Sequence, residues 1–171
     1  MNIWKPQRGQ IWIPTSANTK DNYDWITENI AVGMQPPNEN TMDQLLQEGV
    51  EYFLCLHRKE PSYDINDLNF KQIKLADGEL MPFKKVIEGI DFIEEVISQN
   101  KKVLVHCEMG ISRSAMMVML YFITHLGLNF TEAFTKVMDK RSIINPNKNL
   151  IDYDLLIDLM NYYKNKEMKM K

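Results

Sequence analysis

The residues of this chain that are best suited to covalent chemistry lie in one short segment, His106-Cys107-Glu108-Met109-Gly110-Ile111-Ser112-Arg113-Ser114. An aliphatic run precedes the segment and a long apolar helical pattern follows it, which predicts a loop at a helix N-terminus. Unpaired backbone N–H groups and the positive end of the helix dipole favour an anion at such a place. A cysteine in the same field is favoured as its thiolate. The segment therefore predicts an anion-binding loop around a nucleophilic Cys107.

Further residue types in this loop suit it to phosphate. Gly110 allows a tight bend and a close approach of the backbone to a ligand. Arg113 lies six residues after Cys107, and its planar guanidinium can donate to two phosphate oxygens at once. The hydroxyls of Ser112 and Ser114 can steady the loop or the leaving thiolate. The alternative for Cys107 is a buried, unreactive cysteine in a strand-to-helix turn.

The pattern His-Cys-x-x-Gly-x-Ser-Arg-Ser resembles the signature of the dual-specificity protein phosphatases, within the cysteine-dependent protein tyrosine phosphatase superfamily. The resemblance covers roughly residues 25–163. It implies that Cys107 attacks phosphorus to form a phosphocysteine and that Arg113 holds the phosphoryl oxygens. It also implies that residues 108–113 form the phosphate-binding loop and that His106 orients the cysteine.

Asp77 is the predicted general acid. Expulsion of an alkoxide or phenoxide from phosphorus is easier when an acid protonates it, so the chemistry requires a carboxylic acid on a loop beside the site. Asp77 follows a predicted strand and lies thirty residues before Cys107, which resembles the placement of the acid in the family. Taken alone, the pair Asp77-Gly78 is a turn signal. Glu79 is the second choice for the acid.

Three other residues carry more open expectations. We expect the Glu108 side chain to face outward, where it disfavours acidic substrates or contacts basic ones. Arg141 resembles a basic residue with which the family meets a second phosphate or an acidic substrate residue, and the alternative is a cationic cap at a helix C-terminus. Cys55 resembles a cysteine that some relatives pair with the nucleophile during oxidation. A reversible Cys55–Cys107 disulfide is a hypothesis, with plain strand packing as its alternative.

Composition limits the class of protein. The 171 residues predict one domain that can bury a core without disulfides or metals. A formal net charge of −3 gives no reason to expect nucleic-acid binding. Two cysteines do not make a disulfide framework, and no signal peptide or membrane-spanning stretch is predicted. We expect an intracellular protein of the cytoplasm, with the nucleus as a further location, and no metal or cofactor.

Alternating strands and helices predict an α/β fold whose central, mainly parallel sheet is covered by helices on both faces, as in the protein tyrosine phosphatases. Strands are predicted at residues 26–34, 50–56, 70–75 and 103–106, and helices at 41–48, after Pro82, and at 114–126, 131–141 and 150–163. The phosphate loop then lies at the carboxyl end of a central strand, where open α/β sheets bind ligands. Residues 1–25 are expected to form an irregular arm, 26–163 the catalytic domain and 164–171 a flexible basic tail.

The primary hypothesis is a dual-specificity protein phosphatase that hydrolyses phosphotyrosine and phosphoserine or phosphothreonine through a phosphocysteine. Its expected partner is a phosphorylated protein, and its oligomeric state is left open. One alternative is a phosphatase for a non-protein ester such as a phosphoinositide or an RNA end. The other is a phosphopeptide-binding module with little turnover, against which the presence of Cys107, Arg113 and Asp77 argues.

Overall fold

The computed structural model describes residues 22–170, so the predicted arm lies mostly outside the described residues. The strands are β1 (Tyr23–Trp25), β2 (Ile30–Gly33), β3 (Val50–Cys55), β4 (Asn69–Gln72) and β5 (Lys102–His106). The helices are α1 (Glu39–Gln47), α2 (Phe83–Ser98), α3 (Arg113–Leu126), α4 (Phe130–Lys140) and α5 (Tyr153–Lys169). The predicted order of strands and helices is confirmed over this part of the chain.

The strands form one five-stranded sheet in the order β1-β2-β5-β3-β4. Strand β5 lies at its centre, parallel to β2 on one side and to β3 on the other. Only β1 is antiparallel, to β2. Apolar residues occupy successive positions of β5, because both of its faces are covered. The predicted mainly parallel α/β fold is confirmed.

Two apolar clusters cover the two faces of the sheet. The larger one joins α2, α3, α4 and α5 to the sheet, and the smaller one includes Met42 and Leu45 of α1. Helix α3 is buried at every position from Arg113 to Ile123, as its nearly continuous apolar sequence predicts. This burial fixes the N-terminus of α3 against the carboxyl end of β5. No helix within residues 22–170 is long and apolar enough to span a bilayer.

Several boundaries differ from the sequence prediction. The strand predicted from residue 26 begins at Ile30, because the Ile26 and Thr27 amides both donate to the Ile30 carbonyl and form a turn. The last three residues of the predicted arm form β1, which pairs with β2. The predicted tail is helical as far as Lys169, although its side chains are exposed.

Candidate active site

Residues 107–112 form the loop between the end of β5 and the start of α3. All of them except Gly110 line one side of a pocket of about 520 Å³. Asp77, Arg113 and residues 145–148 complete the lining. The structure thus brings the predicted nucleophile, phosphate clamp and general acid around one cavity. Glu79, the second choice for the acid, is exposed and does not line it.

The carbonyl oxygens of this loop are bound by donors from the residue before the loop and from neighbouring segments. Five successive carbonyls each accept a hydrogen bond: Cys107 from His106 Nδ1 (3.2 Å), Glu108 from the Gln35 amide (3.0 Å), Met109 from Arg141 Nη2 (3.3 Å), Gly110 from Arg141 Nε (2.8 Å) and Ile111 from the Asn145 amide (2.9 Å). In a trans peptide the N–H points opposite to the C=O. The amides of residues 108–112 therefore point to the other side of the loop, where the pocket lies, and form a nest for an anion.

Gly110 is required by both conformation and space. Its φ of +66° lies in the left-handed region, which favours glycine. A Cβ atom here would lie 2.3 Å from the Gly33 carbonyl carbon and 2.5 Å from the Met34 nitrogen. The end of β2 therefore packs directly against the loop, and any side chain at this position would push the loop out of its shape.

Cys107 is only 2 % exposed, and its sulfur lies 3.3 Å from the Ser114 hydroxyl. Ser114 is in the first turn of α3, so both the hydroxyl and the positive end of the helix dipole face the sulfur. These groups are suited to stabilising negative charge on the sulfur.

One nitrogen of the Arg113 guanidinium is held by a backbone carbonyl, and another has no hydrogen-bond partner among the described residues. Its Nη1 donates to the Leu75 carbonyl at 2.8 Å, which orients the guanidinium and ties the loop to the segment that carries Asp77. Among the described residues, its buried Nε has no hydrogen-bond partner. Since a buried donor without a partner is costly, and Arg113 lines the pocket, this N–H is suited to an anionic oxygen there.

Asp77 is held by a relay of hydrogen bonds. The Ser112 hydroxyl donates to Asp77 Oδ1 at 3.0 Å and accepts from the Asn147 amide at 2.9 Å. Because Ser112 donates to Oδ1, a proton on this carboxyl group would belong on Oδ2. The relay fixes the predicted general acid beside the loop of residues 107–112, where such a role requires it.

His106 supports the loop from behind. Its Nδ1–H donates to the Cys107 carbonyl, so its Nε2 accepts from the Tyr63 hydroxyl at 2.6 Å. Complete burial, with the nearby His57 as a smaller cause, lowers the pKa of His106 to about 3. The imidazole is therefore neutral at physiological pH and orients Cys107 by hydrogen bonding rather than by charge.

The outward-facing loop side chains lie at the mouth of the pocket. Glu108 pairs with Lys59 at 3.6 Å between carboxylate and ammonium, with both groups largely in solvent. Its expected outward orientation agrees with this contact. Met109 is 57 % exposed and lines the pocket, where a substrate can contact it.

The prediction that Arg141 contacts substrate is wrong, because its side chain is 1 % exposed. The guanidinium binds two loop carbonyls and forms an ion pair with Asp24 of β1 at 2.8 Å. Its backbone does cap α4, but its charge serves the loop rather than the helix end. Arg141 is thus the residue that keeps the Met109 and Gly110 carbonyls turned away from the pocket.

Cys55 ends β3 and pairs in register with His106, one residue before the nucleophile. Paired residues of adjacent strands face the same side of a sheet and successive residues face opposite sides, so Cys55 shares a side with His106 and not with Cys107. Both cysteines are free. Burial raises the pKa of Cys55 to about 12, so it is a thiol at neutral pH. The predicted disulfide would require local rearrangement and stays a prediction.

Sequence reasoning missed the residues that orient the loop from a distance. Asp24 lies 117 positions from Arg141, and Tyr63 lies 43 positions from His106. No local pattern marks either of them. The Asn147 amide is a backbone group, which composition cannot reveal.

Comparisons with known proteins agree with this geometry. The model of a family described as "Dual specificity phosphatase, catalytic domain" matches residues 30–164. Dual specificity protein phosphatase 9 of Homo sapiens is 32% identical over 136 residues, which is 75% of this chain and 35% of that protein. Protein phosphatase Slingshot of Drosophila melanogaster is 30% identical over 147 residues, which is 83% of this chain and 14% of that protein. The chain therefore spans about a third or less of the length of these relatives.

Solved structures share the fold. The structure of PTPMT1 in complex with PI(5)P aligns with a TM-score of 0.72 at 20% identity, over 88% of this chain and 100% of that one. At this identity the similarity concerns the fold, whose arrangement of sheet and helices matches the one described above.

Proposed function

Because the chain belongs to the dual specificity phosphatase catalytic-domain family, we propose that it hydrolyses phosphotyrosine and phosphoserine or phosphothreonine in protein substrates through a phosphocysteine intermediate. The observation that carries the proposal is the meeting of Cys107, Arg113 and Asp77 around one pocket, beside a loop whose carbonyls from residue 107 to residue 111 all accept hydrogen bonds from the protein.

In the first step the Cys107 thiolate attacks phosphorus while Arg113 and the amides of residues 108–112 bind the phosphoryl oxygens. The S–P bond forms and the P–O bond to the substrate side chain breaks, with its electron pair leaving on that oxygen. The Asp77 carboxylic acid donates its proton to the leaving oxygen. Donors that are fixed before the reaction stabilise the charge of the transition state without reorganising.

In the second step the Asp77 carboxylate takes a proton from a water molecule, whose oxygen attacks phosphorus. The S–P bond breaks and its electron pair returns to Cys107, where the Ser114 hydroxyl stabilises the thiolate. Inorganic phosphate leaves and the enzyme is restored.

The test is phosphate release from paired phosphotyrosine and phosphothreonine peptides and from an activated aryl phosphate, all in the presence of a chelator. Asp77→Asn is expected to slow the peptides about 100-fold or more, because their leaving oxygens need a proton, and to slow the activated ester much less. Glu79→Gln is the matched control, since this carboxylate is close in sequence but does not line the pocket. It should keep wild-type rates.

Other results would redirect the assignment. Peptide binding without phosphate release would favour the binding module. Release from a phosphoinositide or a 5′-triphosphate RNA, with none from either peptide, would favour the non-protein alternative. Equal losses in Asp77→Asn and Glu79→Gln would remove Asp77 from the mechanism.

We also infer an intracellular location, because the nucleophile must remain a free thiol and reducing compartments keep it so. Immunodetection in cytosolic, nuclear and secreted fractions of the source cells tests this. Recovery mainly from the secreted fraction would contradict it.

A further inference from the structure

A thiol and two imidazoles lie together beneath the phosphate loop, on the side of the sheet where Cys55 and His106 face. The Cys55 sulfur and one ring nitrogen from each of His57 and His106 all lie within 4.8 Å of one another. All three side chains are buried, at 0 % exposure. The pairing of β3 with β5 sets Cys55 beside His106, and His57 follows Cys55 by two residues.

The hydrogen bonds of the two histidines fix the tautomer of each ring and leave one unprotonated nitrogen on each, which can bind a metal. Gln35 Oε1 accepts from His57 Nε2 at 2.8 Å and also from the Ser62 amide, so Nε2 carries the proton and Nδ1 does not. His106 donates from Nδ1 to the Cys107 carbonyl, which leaves Nε2 unprotonated. Metal-binding histidines are held in this way, with the second nitrogen donating to a carbonyl or carboxylate oxygen.

His57 Nδ1 is buried and has no hydrogen-bond partner among the described residues. A buried acceptor without a donor is rare in folded proteins and destabilises them. Here the acceptor belongs to a ring that is already clamped by Gln35 and that lies beside a thiol and a second imidazole. A cation bound by all three groups would satisfy it.

We propose that Cys55, His57 and His106 form a buried site for a thiophilic divalent cation, and that Zn²⁺ is the ion this donor set fits. One thiolate and two imidazoles are ordinary zinc ligands, whereas Mg²⁺ and Ca²⁺ prefer oxygen. No pattern in the sequence predicts this metal site. This site is separate from the reacting atoms, and it does not depend on the phosphatase proposal.

Binding has defined local consequences. Zn–S and Zn–N bonds of about 2.3 and 2.0 Å require the three side chains to close by up to about 1 Å. Zn²⁺ replaces the proton of the Cys55 thiol, which is released to solvent. Coordination by His106 Nε2 also breaks its hydrogen bond with the Tyr63 hydroxyl. Exposed residues 58–60 border the cluster and offer a route of entry through local opening.

The experiment uses the full chain with Cys107→Ser, titrated with Co²⁺ and then with Zn²⁺. The chain has two cysteines, so this variant leaves Cys55 as its only thiol. A sulfur-to-cobalt charge-transfer band at one equivalent, displaced by Zn²⁺, would identify Cys55 as a ligand without altering the site. Mg²⁺ should not displace the band.

Variants made in the same Cys107→Ser background complete the test. Cys55→Ser should abolish the band, and His57→Gln should weaken Zn²⁺ binding at least about tenfold. The matched control is His125→Gln, which removes the third histidine of the chain from the far end of α3 and should bind as before. Absence of a charge-transfer band in Cys107→Ser, or equal Zn²⁺ affinity in Cys55→Ser, would overturn the proposal.

Discussion

The carboxyl ends of β5 and β3 lie side by side at the same edge of the sheet, and each has a cysteine. Cys107 directly follows β5, and Cys55 is the last residue of β3. Cys107 after β5 faces a helix N-terminus, a hydroxyl and an open pocket. Cys55 at the end of β3 faces two imidazoles in the closed interior. The two sulfurs are about equally buried, but we expect only Cys107 to act as a nucleophile. The reactivity of a cysteine depends on the groups that face its sulfur and on access to it.

The largest expected effect separates the two cysteines by activity. Cys107→Ser should lower phosphate release by at least about 10⁴-fold, because the hydroxyl is a far poorer nucleophile at neutral pH. Cys55→Ser should stay within about threefold of wild type, since its sulfur touches no reacting atom. Initial rates with an aryl phosphate measure both. Similar losses in the two variants would contradict the division of roles.

The next largest expected effect is on stability and concerns Arg141, which holds the loop that follows β5. Arg141→Met should lower the free energy of unfolding by about 3 kcal/mol, because two carbonyls and Asp24 lose their donor. Arg141→Lys keeps the charge and should recover part of the loss. Urea unfolding measures both. A loss below about 1 kcal/mol in Arg141→Met would mean that the loop holds its shape without this residue.

The pH dependence of stability reports the region around β3. Burial lowers the pKa of His57 to about 4 and of His106 to about 3, whereas an unfolded histidine titrates near 6.5. Below pH 6.5 the two histidines therefore bind protons in the unfolded chain but stay unprotonated in the native state. The contribution of these neutral histidines to the free energy of unfolding is fully present above pH 6.5. It falls as the pH drops toward 4, by up to about 1.4 kcal/mol per pH unit for each histidine.

Urea unfolding between pH 7 and 5 tests this expectation, with His57→Gln as the comparison. The variant should lose stability less steeply than wild type, because one of the two buried titrating groups is gone. Parallel slopes in the two proteins would show that His57 is not held neutral.

A smaller effect is expected for the relay that holds the general acid. Ser112→Ala should slow phosphopeptide hydrolysis about tenfold, since Asp77 loses a hydrogen bond worth about 1 kcal/mol. The effect should nearly vanish with an activated aryl ester, which needs no proton. Ser114→Ala is the contrast. The Ser114 hydroxyl stabilises the thiolate, so its removal should slow hydrolysis of both substrates. Equal effects of Ser112→Ala on both substrates would contradict a role through Asp77.

The smallest expected change concerns oxidation. Mild peroxide should convert Cys107 to a sulfenic acid, and attack by the Cys55 thiol should then form a disulfide and release water. Because the two residues face different sides of the sheet, only a minor fraction should cross-link before the loop rearranges. Mass mapping after alkylation follows both species. Persistence of the sulfenic acid with Cys55 still free would rule the pairing out.

The functional motif was predictable because its parts are close in sequence. The nucleophile, the glycine and Arg113 lie within seven residues, and the flanking strand and helix have strong periodic patterns. Asp77 could be proposed from the sequence because the chemistry requires an acid on a neighbouring loop, and it lies in the pocket lining. The sequence leaves the role of Arg141 open between substrate contact and a helix cap, because a basic residue near a helix end looks the same in sequence whether it faces solvent or the interior.

By itself the sequence determined the α/β fold and the loop between β5 and α3, and it singled out Cys107 as the candidate nucleophile, since local patterns of apolar residues and motif spacing carry this information. Only the tertiary structure decided which donors hold the loop carbonyls, how Ser112 joins Asp77 to the loop, and that Cys55 lies with His57 and His106. Those relations depend on strand register and on contacts between residues far apart in the chain. Register sets which side of the sheet each side chain faces, and a shift of one residue would reverse it.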